Sequence, residues 1–129
     1  MGTKASTTEE TVFTSAARTA TANSADQENY QFRGCILLLN ISAASGTTPT
    51  LDLKVQLYDK TSGAYMDIPS AAFAQKTTTG SDSLVIYPGI AETANRSVSD
   101  VIPRNWRVVA TIAGTTPSFT FSLGVSYIV

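Results

Sequence analysis

The chain has 129 residues, nine basic and ten acidic, for a formal charge of −1, with one cysteine and no histidine. That length suits one domain, which hides roughly two thirds of its unfolded surface without metal or disulfide help. The lone Cys35 excludes an internal disulfide, and the missing histidine excludes the usual zinc, copper and haem sites and any Ser-His-Asp or Cys-His unit. The balanced charge speaks against nucleic acid as a partner, since binding it needs clustered Lys and Arg.

Residues 1–10 are Thr, Ser and acid with nothing to bury, which predicts a flexible N-terminal arm ahead of a single domain over 11–129. The same stretch lacks the apolar core of a secretory signal. The longest apolar run, 35–39, is too short to cross a bilayer, so no membrane partner is expected. Residues 11–14 read as a first short strand with a weak continuation at 19–22, and 23–26 as a turn. Residues 30–43 follow, and their continuous apolarity from Cys35 to Ile41 fits a strand central to a sheet. Gly46-Thr47-Thr48-Pro49 then interrupts the chain. After it, Leu51, Leu53, Val55 and Leu57 fall on every second position, the period of a strand with one buried face.

Asp59-Lys60-Thr61-Ser62-Gly63 is a hairpin loop, with Asp to bond the backbone and Gly to take positive φ. Residues 65–68 are the return strand, ended by Pro69. Residues 71–76 read as a further strand and 77–82 as a turn. Residues 83–87 form a strand stopped by Pro88-Gly89, and 90–96 a polar loop. Val98, Val101 and Ile102 pack back before Pro103, and residues 106–129 close the chain as a last hairpin.

One segment is written twice. Gly46-Thr47-Thr48-Pro49-Thr50-Leu51 recurs as Gly114-Thr115-Thr116-Pro117-Ser118-Phe119, and Phe119, Phe121, Leu123 and Val125 match the earlier alternation in phase. Each copy follows an apolar run, so each predicts a hairpin: strand, turn, strand. Thr48 and Thr116 precede proline and are expected to be extended, with Pro49 and Pro117 opening the next strand. Stacked apolar faces of two such hairpins, with turn signals every eight to twelve residues, predict an all-β fold. The architecture expected is an antiparallel β-sandwich, jelly-roll-like.

Candidate chemistry is sparse. Asp52, Asp59, Asp67, Asp82, Glu92 and Asp100 could pair for glycoside hydrolysis, but turn positions and outward strand positions favour capping and solvated charge. Asp59 and Asp67 flank one hairpin and could share calcium, though their spacing matches no motif, so no cofactor is expected. Tyr30, Phe32 and Arg33 could stack on single-stranded nucleic acid, but lack surrounding positive charge. Arg104, Trp106 and Arg107 form the densest polar-aromatic cluster, of the residue types that dominate interface hot spots. Trp106 shares parity with Val108, Ala110 and Ile112, which buries it and turns Arg107 outward.

The two Gly-Thr-Thr-Pro segments, Ile68-Pro69 with Ala72-Phe73-Ala74-Gln75, Tyr87-Pro88-Gly89-Ile90, and Val101-Ile102-Pro103-Arg104-Asn105-Trp106-Arg107 together carry a likeness. Through them the chain resembles the small β-sandwich virion proteins of tailed bacteriophages. The resemblance implies a non-enzymatic capsid decoration (cement) protein on the outer surface of a phage head. Its implied partners are the major capsid protein or another virion protein, and copies of itself, as a trimer. It also implies assembly in the host cytoplasm into the virion. Within that reading the arm, with Thr7, Glu9 and Glu10, orders against a neighbouring subunit, and Arg104 and Arg107 make contacts. The alternatives are a tail or head–tail component, or a carbohydrate- or receptor-binding module using Tyr58, Tyr65 and Tyr87 as its platform.

Overall fold

A computed structural model describes residues 8–129, and within them the chain is all strand and loop. The elements are β1 (Glu9–Arg18), β2 (Ala22–Asn23), β3 (Gln27–Glu28), β4 (Gly34–Asp59), β5 (Ala64–Ala72), β6 (Gly80–Ile86), β7 (Ser97–Val98) and β8 (Asn105–Ile128). Of the expected arm, residues 1–7 lie outside the described residues. Glu9 and Glu10 do not belong to an arm: they open β1, opposite Ser126 and Val125. The weak continuation at 19–22 is absent; β1 stops at Arg18, and Ala22 starts a separate short pairing.

The alternation in both copies of the repeat translates into burial. Leu51, Leu53, Val55, Phe119, Phe121, Leu123 and Val125 are each at most 2 % exposed. Burying one such side chain contributes roughly 1.5–3 kcal/mol. Trp106 is fully buried, as its parity predicts, and donates its indole N–H to the Tyr127 hydroxyl at 3.2 Å. Val101 departs from expectation and stands exposed, while Ile102 packs inward.

The two hairpins expected from the repeat do not form. Each Gly-Thr-Thr-Pro is a corner through which one long strand continues, and β4 and β8 pair with each other along nearly their whole length. Before the corner β4 pairs with the far end of β8, with Leu39 opposite Leu123. After it β4 pairs with the near end, with Leu53 opposite Ala110. The two corners cross: Thr47 lies opposite Thr115. Gly46 has φ 115° and Gly114 has φ 122°. A Cβ on Gly46 would sit 2.8 Å from the Thr116 carbonyl oxygen, and one on Gly114 would sit 2.8 Å from that of Thr48. The following threonines are not extended. Thr48 and Thr116 take φ 47° and 46°, and each hydroxyl donates to the preceding carbonyl at 2.8 Å. The tight crossing over-determines this backbone against the preference imposed by the next proline.

The strands form one hydrogen-bonded sheet rather than the two expected, in the order β1-β8-β4-β6-β7, with β5 on β4 and β2 and β3 on β8. All pairings are antiparallel except that of β6 with β7. Residues from both sides of the corners share one apolar cluster. With no helix to cover that face, the sheet is folded over its own apolar side at the corners. Arg18 ends β1, beyond register shifts between Thr11 and Phe13 and between Phe13 and Ala16. Its guanidinium lies 4.8 Å from the Phe13 ring centroid and 4.7 Å from that of Phe121, and donates to the carbonyls of Thr14, Ala16 and Phe121.

Two outcomes follow from this packing. Gly46→Ala and Gly114→Ala each destabilise the fold by about 1–3 kcal/mol, by similar amounts, in urea unfolding. A wild-type midpoint in either variant contradicts the crossed corners. Burial pushes the Cys35 thiol up to about 12. Cys35 is therefore silent to a thiol reagent at pH 8 in the native protein and reacts once urea unfolds it.

Candidate interaction face

Past its corner, β4 turns Lys54, Gln56 and Tyr58 away from the core, alternating with Leu53, Val55 and Leu57. Register then selects their neighbours. Gln56 lies opposite both Arg107 on β8 and Asp67 on β5, and Tyr58 lies opposite Tyr65 on β5. The side chains form one connected network. Arg107 donates through Nε to Gln56 Oε1 at 2.9 Å, and its guanidinium lies 3.4 Å from the centroid of the Tyr65 ring. The Tyr58 and Tyr65 rings are 5.0 Å apart, tilted by 49°. Tyr65 donates its hydroxyl to Asp26 at 2.6 Å. Gln56 donates to Asp67 at 2.9 Å, and Lys54 pairs with the other Asp67 oxygen at 3.1 Å.

The charges are tuned by these contacts. The hydrogen bond from Gln56, then that from Lys54, holds the Asp67 carboxyl below its usual range. The bond to Asp26 raises the Tyr65 phenol. Stacking on Tyr65 and the bond to Gln56 fix the Arg107 plane, so little side-chain freedom is left to lose on contact.

Arg104 sits at the neighbouring loop. The buried Asn29 ties that loop down, donating to the carbonyls of Phe32 and Ile102 while accepting from the Phe32 amide. Arg104 thereby lies 5.2 Å from the centroid of exposed Tyr30, whose hydroxyl donates to Glu28 at 2.6 Å. The bond to Glu28 raises the Tyr30 phenol, and the Glu10 charge adds a smaller push in the same direction. The structure thus gathers Arg104 with Tyr30 and Arg107 with Tyr58 and Tyr65. Glu9 and Glu10 are exposed on β1, and Thr7 lies outside the described residues.

The other candidates resolve into structural roles. Asp59 caps its turn, accepting from the Thr61 amide and the Ser62 hydroxyl, while Asp67 is engaged as above, so the two do not converge on one cation. Asp52 accepts from Gln75, Asp82 pairs with Lys76, Glu92 accepts from the Ser99 amide and Asp100 from that of Val101. No two of these carboxylates share a network. Phe32 stacks on Tyr127, leaving Tyr30 as the exposed aromatic of that group beside exposed Arg33. Tyr87 donates to the Val129 carbonyl and does not join Tyr58 and Tyr65. Comparison with family models, curated proteins and solved structures returns no match for this chain.

The Tyr65 bond carries a pH signature. The phenol is raised in the folded state, so its contribution is fully present below pH 10 and is lost as pH rises through the raised value. Tyr65→Phe reduces the alkaline fall in unfolding midpoint between pH 9 and 11. An unchanged alkaline limb in that variant contradicts the Tyr65–Asp26 bond.

Proposed function

We propose that this protein is a non-enzymatic virion structural component that works by adhesion, as a capsid decoration protein on the outer surface of a phage head. The face of Arg107, Tyr65, Tyr58 and Gln56 is its contact surface. One observation supports a contact role above all. The two corners relate β4 to β8, so each outward position has a counterpart on the other half of the sheet. Leu57 lies opposite Trp106 as Val125 lies opposite Leu37, which makes the Gly124–Leu38 pair the counterpart of Gln56–Arg107. Likewise Ser126–Glu9 is the counterpart of Tyr58–Tyr65. The backbone makes the same demand at both places. Glycine, serine, leucine and glutamate serve there, so the backbone alone does not call for the Tyr–Arg network, which supports a role for it in contact. Tyrosine and arginine are also the residues that carry binding energy at protein interfaces.

On this reading the partner is the major capsid protein or another virion protein. Repetitive shells favour symmetric oligomers, and a trimer is the proposed state. A second reading rests on the Tyr58–Tyr65 pair beside Gln56 and Asp67: aromatic rings with flanking hydrogen-bonding groups also suit a carbohydrate.

Co-sedimentation separates the two. Wild-type protein pellets with purified head shells stripped of it, and Arg107→Ala and Tyr65→Ala each weaken that binding by about tenfold or more, while Leu38→Ala leaves it unchanged. Equal binding by all three variants overturns the assigned face. Failure to bind shells, with saturable glycan binding that Tyr58→Ala abolishes, favours the carbohydrate reading.

A further inference from the structure

Dividing the chain at the Asp59–Ala64 connection exposes a regularity of the pairing. The first half contains β1, β2, β3 and β4; the second contains β5, β6, β7 and β8. Among the described residues there are seven strand pairings, and six join one half to the other. β1, β2 and β3 pair with β8; β5 and β6 pair with β4; and β4 pairs with β8. Only the two-residue pairing of β6 with β7 lies within a half. Neither half contains a ladder of its own that could support its long strand.

The halves are also alike. Each runs through short strands into one long strand bent at Gly-Thr-Thr-Pro. Each short-strand set borders the other half's long strand in the same order: β1 flanks the end of β8 as β5 flanks the end of β4, and β2 with β3 flanks its start as β6 flanks that of β4. The corner geometry repeats to within a few degrees and a tenth of an ångström, with φ 115° and 122° at the glycines and 47° and 46° at the threonines. This is the relation between two subunits about a two-fold axis.

We propose that the protein is a fused pseudo-dimer whose halves are each other's binding partner. The strand pairing and shared core hold them together, and the connection through residues 60–63 does not. A second copy of this chain can then supply the complementary half whenever the connection cannot turn back on itself. The contact face lies across this seam: Asp26, Gln56 and Tyr58 come from the first half, and Tyr65, Asp67 and Arg107 from the second.

The test cuts the full chain after it has folded, at a protease recognition sequence inserted between Thr61 and Ser62. The two fragments are expected to elute together at the volume of the intact chain, with unchanged strand circular dichroism. Unfolded and separated, neither fragment regains that signal alone; mixed, they regain it at a rate that rises with concentration. Fragments that part in native buffer, or one fragment that is structured alone, overturn the proposal. So does an uncut insertion variant that cannot fold, because the connection would then be needed. A second variant lacks residues 60–63, which joins Asp59 directly to Ala64, its partner in the ladder. It is expected to be a folded dimer with exchanged halves. A folded monomer, or a chain that does not fold, overturns the exchange.

Discussion

The structure depends on the mutual crossing of two backbones at the Gly-Thr-Thr-Pro corners. Gly46 rests against the Thr115–Pro117 backbone and Gly114 against that of Thr47–Pro49, each at a distance no Cβ would allow. The crossing sets the register of β4 on β8 on both sides of itself, because the pairing runs away from it in two directions. Register in turn sets which side chains are inward. Slipping one strand by one residue would send Leu51, Leu53 and Val55 to water and bring Lys54 and Gln56 into the core.

The buried faces were legible in the residues, though not every boundary: β5 runs through Pro69 to Ala72, residues 73–75 leave the sheet, and β6 starts at Gly80 inside the expected turn. Period-two alternation located the buried faces of 51–57 and 119–125, and the parity of Trp106 placed its ring inside and Arg107 outside. One partner was legible, the return strand across the 59–63 loop; the long-range partners were not. A turn signal followed by an alternating strand reads as a hairpin, and Gly-Thr-Thr-Pro with apolar runs on both sides satisfies every local rule for one. What decides against it is non-local: the second copy, 68 positions on, offers a complementary corner, and the crossing satisfies both backbones at once. The positive φ of Thr48 and Thr116 has the same origin, since the local preference before proline points the other way.

The contact face shows the same division. Arg104 and Arg107 stood out by composition alone. Their partners could not, because Gln56 is 51 positions from Arg107, and Asp26 is 39 from Tyr65. Tyr58, Tyr65 and Tyr87 looked equivalent in the sequence. Register joins the first two as cross-strand neighbours and leaves the third tied to Val129. Side chains that meet only through long-range register carry no local signal of doing so.

The place of β8 in the pairing order bears on how the protein is made. Strands β1, β2, β3 and β4 all take β8 as a partner, and β8 emerges from the ribosome after every one of them. Until it does, β1 and both ends of β4 present unpaired amides and a bare apolar face, the kind of surface that chaperones capture and that aggregates otherwise. Pairing of β4 with β5 and β6 needs no later strand, but β1, β2 and β3 have no place in the sheet until its latest-born member arrives.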